Sequence, residues 1–497
     1  MYPAIHRGLS LCAAALALLL SSCAAVPKLG QSPEMRTAQS VASGESFAPV
    51  VSSAAIWPDG AWWQGYHDAQ LTALIEEGLA GAPDIDAAMA RLHQADGYRQ
   101  QAGAALLPQI DGNASLGGEK QSYNNGIPPA FVPKGWTSTG STSLNLSFDL
   151  DLWGKNRTNL RAAASDAEAA ALDLAQARLL LSTNIASAYA DLNQYFAERD
   201  VEVNAVALRT DTQKLVANRL AIGLDTRAEL KQADSAVPSE QAKLAQIEES
   251  IGLTRNRIAA LLGKGPDRGS TIQRPSLSFA ARAVPADVTT DLLGRRPDVA
   301  SARASVESDA QRIKAARADF YPSVSLSALV GFQSLGISNL FLSGSYDGQA
   351  GAAVSLPIFH GGEIAGKYRV ARASYDQAVA SYNGNVITAY HDVADAVTSQ
   401  SMLGIQLARS RQSLADAQEA YSIARQRYEG GLSDYLTVLT AQDSVLTEQR
   451  TVVDLEARAF SLDVALVKAL GGGATPPIFF DPARADVGAR SQEATRG

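Results

Sequence analysis

The sequence predicts a mostly α-helical chain with a small set of β-strands patterned for a membrane barrel, the whole arrangement written twice. Three observations predict this. Short motifs recur in order about two hundred residues later, Ala-rich stretches run too long for a globular core, and strand-like segments alternate strictly between apolar and polar side chains.

The repeat is read from motif offsets. Pro83-Asp84-Ile85 recurs as Pro297-Asp298-Val299 and Leu107-Pro108-Gln109-Ile110 as Tyr321-Pro322-Ser323-Val324, both at an offset of 214. Ala188-Tyr189-Ala190-Asp191 returns as Ala389-Tyr390-His391-Asp392 at 201. Arg219, Gly223 and Leu224 match Arg427, Gly431 and Leu432 at 208, as Leu262-Gly263 matches Leu470-Gly471. Five matches in one order, with offsets drifting by a few residues, mark a duplicated unit with small insertions.

The first element is an address. His6 and Arg7 precede an apolar run of twelve residues, Leu9 to Leu20, the length of a signal-peptide core and too short to span a bilayer. It ends in Leu20-Ser21-Ser22-Cys23, which resembles the lipobox of bacterial lipoproteins, where the cysteine is acylated and becomes the new N-terminus. Several acyl chains at ~0.8 kcal/mol per buried methylene anchor a protein firmly. The competing reading is an ordinary secretory signal that contains a cysteine. Ala24, with no Asp after the cysteine, suggests sorting to the outer membrane in lipoproteins of this kind.

Each copy then runs helix, strand pair, helical hairpin. The leading helices are expected from Asp84 to about Ala105 and from Asp298 to about Phe320. In the strands, Leu144, Leu146, Phe148, Leu150 and Leu152 alternate with Asn145, Ser147, Asp149 and Asp151, and Ile110, Gly112, Ala114 and Leu116 alternate with Asp111, Asn113 and Ser115. In the second copy Val324, Leu326 and Ala328 alternate with serines, and Ala352, Val354, Leu356 and Ile358 close the second hairpin. Such strands suit a soluble sheet on a core. They also suit a transmembrane barrel, whose strands need about 9–11 residues and face lipid and lumen in turn. Asp111, Asp149 and Asp151 opposite an apolar face favour the barrel. Four strands cannot close one, and open edges are not tolerated in hydrocarbon, so a membrane location demands oligomers.

The long segments are expected over Arg157–Ala221 with Thr226–Leu262, and Ala365–Tyr428 with Asp434–Leu470. As one helix, Arg157–Ala221 extends about 100 Å. Gly223 and Gly431 each follow an Arg-bearing last turn and stop a helix, and Thr226 and Ser433 are candidate N-caps for the returning helices.

Composition closes other routes. Lys plus Arg number 43 against 51 Asp plus Glu, a net charge of −8 that argues against a nucleic-acid partner. Cys12 and Cys23 are the only cysteines and the five histidines are scattered, which excludes a Cys/His zinc site and a disulfide framework. No nucleophile–base motif, phosphate loop or metal spacing appears, so neither an enzyme nor a cofactor is expected.

These residues together resemble the TolC-like outer membrane efflux family, in its OprM/NodT-type lipoprotein branch, over nearly the whole mature chain. Trp62-Trp63 with Asp68 and Leu71 resembles the family's opening segment, and Leu293-Gly294-Arg295-Arg296-Pro297-Asp298-Val299 followed by Ala316-Arg317-Ala318-Asp319-Phe320-Tyr321-Pro322 is the most specific motif. Asp151-Leu152-Trp153-Gly154-Lys155, Arg427-Tyr428-Glu429-Gly430-Gly431-Leu432-Ser433 and Ala469-Leu470-Gly471-Gly472-Gly473 continue the likeness.

The resemblance implies a homotrimer, with a 12-stranded β-barrel, four strands per chain, continuous with a long α-helical barrel. It implies a passive exit duct in the outer membrane, lipid-anchored at Cys23, docking through a periplasmic adaptor protein to an inner-membrane pump of the RND type. The domains are then a signal peptide (1–22), a lipidated equatorial segment (23–82), repeat 1 (83–264), an equatorial linker (265–296), repeat 2 (297–473) and a C-terminal segment (474–497). The adaptor-docking tips map onto Arg219, Gly223, Leu224, Arg427, Gly431, Leu432 and Ser433.

The aperture maps onto Glu229, Tyr428, Thr437, Thr440 and Asp443. Thr437 and Thr440 stand where relatives carry inward acids, Asp443 is the candidate for a displaced acidic ring, and Ser433 replaces the arginine partner of the gate tyrosine. A protein-secretion duct is one alternative, with the lipobox and the Arg-Arg-Pro-Asp motif favouring small molecules. A coiled-coil structural lipoprotein is another, contradicted by the strand alternation.

Overall fold

Prolines and caps set where the helices begin. In the computed structural model, which describes residues 26–41, 51–52, 55–124, 126–277 and 282–473, Pro83 and Pro297 each open a helix, where their missing N–H has no partner to lose. Besides short 3-10 turns the elements are β1 (Val51–Ser52), α1 (Ala69–Gly81), α2 (Pro83–Ala104), β2 (Gln109–Glu119), β3 (Thr137–Leu150), α3 (Lys155–Ala221), α4 (Arg227–Leu261), α5 (Asp267–Ser270), β4 (Val284–Pro285), α6 (Val288–Arg295), α7 (Pro297–Ala318), β5 (Ser323–Leu335), β6 (Tyr346–Ser355), α8 (Glu363–Glu429) and α9 (Tyr435–Ala469).

The copies match in length as well as in motif. α2 and α7 have 22 residues each, α3 and α8 have 67, and α4 and α9 have 35. Cys23, the signal peptide and the segment 474–497 lie outside the described residues.

The chain divides into two units. The first comprises residues 1–34, 93–168 and 303–381 and holds a four-stranded antiparallel sheet in the order β2-β3-β5-β6. Its registers pair Ile110 with Leu146, Leu144 with Val330 and Leu326 with Ala352. Directly paired residues point to the same side, so the even-numbered residues of all four strands share one face. That face carries Ile110, Leu116, Leu144, Leu146, Phe148, Val324, Leu326, Val330 and Val354, and the odd face carries Asp111, Asn113, Ser115, Ser141, Ser143, Asn145, Ser147, Asp149, Ser325, Ser327, Asp347 and Gln349, with Leu329 and Leu335 as its large apolar residues. Ile110, Leu116, Leu144, Val330 and Val354 are exposed.

Four strand positions differ from expectation. Asp151 follows the end of β3 and accepts from the Asn156 and Arg157 N–H groups at 2.9 Å, at the start of α3. Leu152 lies past the end of β3, where its N–H bonds the Leu150 carbonyl at 2.8 Å and turns the chain into α3. Leu356 and Ile358 lie past Ser355, because Pro357 between them has no N–H to give a ladder.

The second unit comprises residues 35–92, 169–302 and 382–497. Its core packs Trp62, Trp63, Tyr66, Leu71, Leu74 and Ile75 against Ile185, Tyr189, Leu192, Ile258 and Phe460. Two buried carboxylates fix the linker here. Asp68 caps α1 through the Leu71 N–H at 2.9 Å and also accepts from Tyr189 Oη at 2.9 Å and the Ser276 N–H at 2.9 Å. Asp463 accepts from Tyr66 Oη at 2.7 Å and Arg282 Nε at 3.0 Å. In the most specific motif, Arg296 pairs with Asp298 at 2.7 Å and with Asp392 at 2.8 Å, a structural clamp between α7 and α8. α1, α6 and the two-residue parallel pairing of β1 with β4 have no counterpart in the sequence reading.

Candidate functional site

The tips of the two helical hairpins are built alike. α3 ends on Gly223 at φ +77°, with the Leu224 N–H reaching the Arg219 carbonyl at 2.9 Å and the Gly223 N–H the Leu220 carbonyl at 3.0 Å. α8 ends on Gly431 at φ +73°, with Leu432 N–H to Arg427 O at 2.7 Å and Gly431 N–H to Tyr428 O at 3.0 Å. Both pairs close the left-handed glycine stop that satisfies the last carbonyls of a helix. The turns leave Ile222, Leu224, Leu432 and Leu436 exposed, Leu432 by 72%.

The returning helices are capped by equivalent residues. Thr226 accepts from the Glu229 N–H at 3.4 Å while the Glu229 carboxylate accepts from the Thr226 N–H at 2.6 Å, a reciprocal box. Asp434, not Ser433, caps α9, accepting from the Thr437 N–H at 3.0 Å and Thr437 Oγ1 at 2.6 Å. The offset of 208 places Asp434 on Thr226 and Ser433 on Asp225, so the turn length fixes the cap one residue later than the side-chain type suggested. Glu229 and Thr437 are thus the third residues of equivalent first turns.

A lock of buried charge ties the first tip to the second. Arg219 bonds Asp225 through Nε at 3.2 Å, donates to the Tyr428 carbonyl at 2.6 Å, and lies 4.2 Å over the Tyr428 ring. Tyr428 Oη donates to the Asp225 carboxylate. Burial, with Asp225 beside it, pushes the Tyr428 phenol above its ordinary value, so it remains a donor at neutral pH. Beneath lie Val216, Ala233, Tyr435 and Val438. Tyr428 therefore finds an acid, but that acid is Asp225, while Glu229 serves the cap.

Further along, a polar layer crosses the hairpins. Arg209 donates to Gln442 Oε1 at 2.6 Å, lies 3.6 Å from Glu240 and bonds Asp443; Gln442 donates to Thr212 at 3.2 Å. Arg450 bonds Glu202 and reaches Glu240 at 3.1 Å, and Lys243 reaches Glu240 at 3.1 Å. Burial alone would raise the Glu240 carboxyl. Lys243, Arg450 and Arg209 outweigh it and hold that carboxyl below its ordinary value. One turn away, burial and the neighbouring Asp454 and Glu202 push Glu198 up to about 7, against a hydrogen bond from Gln194. Asp443 is 58% exposed and already engaged by Arg209, and Thr440 turns its hydroxyl onto the Leu436 carbonyl at 2.9 Å.

Asp225, Arg209, Gln442 and Arg450 were missed in the sequence. The signal for two of them is spacing: the buried residues Glu202, Ala205, Arg209, Thr212, Val216 and Arg219 follow one another by three and four, as do Tyr435, Val438, Gln442 and Val445. These are helix-seam positions in which polar groups replace apolar ones.

Comparison with known proteins follows the same outline. The family profile described as "Outer membrane efflux protein" matches residues 74–264 and 288–472, one stretch in each copy. The crystal structure of the outer membrane protein VceC from Vibrio cholerae is similar at a TM-score of 0.80 and 43% identity, over 84% of this chain and 100% of that one. The fusaric acid resistance protein FusA of Burkholderia cepacia is 35% identical over 75% of this chain and 70% of its own length. The multidrug resistance outer membrane protein MdtQ of Escherichia coli O157:H7 is 29% identical over 92% of this chain and 96% of its own.

Proposed function

We infer that this chain, which belongs to the outer membrane efflux protein family, is the outer-membrane exit duct of a tripartite efflux system, conducting small molecules passively out of the cell. The observation that carries this reading is the sheet, whose acids all lie on the odd-numbered face and whose large apolar residues, Leu329 and Leu335 excepted, lie on the even-numbered one, while β2 and β6 leave two open edges. A bilayer tolerates no open edge, so copies of the chain close the barrel, and three copies make twelve strands.

The strands have the right height. From Tyr321, stacked on Trp153 at 4.8 Å, to Phe332, packed on Phe341 and Tyr346, β5 covers about 36 Å along the strand. A barrel tilt of roughly 40° brings that near the ~25 Å apolar band between aromatic girdles. Cys23 carries the lipid anchor in this reading, and resistance proteins among the relatives favour small cargo over exported protein.

The tips serve a periplasmic adaptor, which couples the duct to an inner-membrane RND pump that supplies the energy. The exposed Ile222, Leu224, Leu432 and Leu436 suit apolar tip-to-tip contact. The aperture residues act as a latched set: Tyr428 is held by Asp225, and Asp443 by Arg209. Gly431→Trp should abolish drug export in cells while membrane-inserted trimers form normally. Undiminished resistance in that variant would remove the tips from the mechanism.

A further inference from the structure

The two loops that join the strands within each hairpin are not equivalent. The second, residues 336–345, contains no charged residue. The first, residues 120–136, contains Lys120 and Lys134 and no acid, and neither lysine has an ion-pair partner among the described residues. At the opposite end of the strands the lysines are neutralised, Lys155 by Asp319 at 2.7 Å and Lys367 by Glu363 at 2.7 Å. The first loop thus carries two unpaired lysines, next to Glu119 at the end of β2, and the second loop carries none.

The aromatic residues of these loops border the apolar face. The Trp136 indole lies 3.7 Å from where a Cβ on Gly118 would stand, and Gly118 belongs to the even-numbered face. Phe341 packs on Phe332 of the same face at 5.8 Å between ring centres. Trp136 is 76% exposed and Phe131 80%. Aromatic rings that end an apolar band, with flexible lysines just beyond them, match the level at which lipid headgroups lie.

We propose that loop 120–136 binds phosphorylated lipid headgroups of the leaflet it meets, with Lys120 and Lys134 taking the phosphates while Trp136 sits among the uppermost acyl carbons. Charge complementarity and continuity with the apolar face select this occupant. Neither lysine is needed to fold the sheet, since both side chains stand outside the strand ladders. The proposal rests on the membrane-spanning reading above.

The test uses the full-length protein reconstituted into phosphatidylcholine vesicles containing a tenth of bisphosphorylated or dephosphorylated lipid A, with retained lipid counted by native mass spectrometry after extraction. The wild type should retain the phosphorylated form preferentially. Lys120→Gln/Lys134→Gln should insert equally well but lose that preference roughly 30-fold, about fivefold per lysine, and Lys120→Arg/Lys134→Arg should keep it. Equal retention of the two lipids by the wild type, an unchanged preference in the Gln variant, or displacement of the lipid by millimolar inorganic phosphate would overturn the proposal while leaving the barrel reading intact. Failure of the wild type to insert into either vesicle would overturn both.

Discussion

The two hairpin tips share a backbone and differ in what their side chains do with it. Residues 219–229 and 427–437 superpose motif on motif: the same glycine stop, the same two carbonyl bonds, a cap at Thr226 and at Asp434. Yet Arg219 is buried against Asp225 and Tyr428, while its equivalent Arg427 is exposed. Where the first tip has Asp225, the second has Ser433, whose buried hydroxyl has no partner among the described residues. Duplication preserved the turn and released the side chains, so one tip became the lock and the other the part it grips.

The largest test of that asymmetry is Arg219→Met against Arg427→Met. The first strands the Asp225 carboxylate in a buried site, a loss of about 3–5 kcal/mol. It should raise the hydrogen-exchange opening of amides in 219–230 by a hundredfold or more. The second removes an exposed side chain and should change stability by less than about 0.5 kcal/mol. Equal effects would mean that the tips are energetically alike and that the lock is decorative.

The turn itself should respond the same way at both ends. Gly223→Val and Gly431→Val each force a branched side chain into a left-handed conformation, costing about 1–2 kcal/mol apiece. Exchange rates at the two tips should rise in parallel, and a clear disparity would break the backbone equivalence.

The smallest effect separates the caps by acidity. Hydrogen bonds from the Thr437 side chain and backbone hold the Asp434 carboxyl below its ordinary value. Its folded value is therefore depressed, so its contribution is complete above the unfolded value of about 3.9 and is lost as pH falls through the folded one. Thr226 carries no such titration. After correction for intrinsic exchange, the amides at the start of α9 should loosen in acid, and Asp434→Thr should remove that loosening there.

The fold was readable because its signals are local and repeated. Alternation over a few residues fixes the faces of the strands, and glycine after a basic turn fixes the ends of α3 and α8. The repeat also held the correction for Ser433, since the offset that matches Gly223 with Gly431 carries Thr226 onto Asp434. What stayed hidden is non-local. Arg219 and Tyr428 are 209 positions apart, and nothing in their neighbourhoods says that they touch. Arg209 looks like a solvated helix charge until α9 brings Gln442 and Asp443 beside it. β1 and β4 pair over two residues only, too short for any periodicity to register.

The shared parity of the four strands constrains how such a gene can change length. Every pairing within the four-stranded sheet joins residues of like parity, including those of β3 with β5, which are separated in the chain by a whole helical hairpin. An added or lost codon between strands is absorbed by the connection, whereas one inside a strand turns every later side chain of that strand inside out, greasy for wet. Strands of this sheet can therefore lengthen or shorten only in twos, while the connections drift freely, and natural relatives should record that arithmetic in the spacing of their gaps.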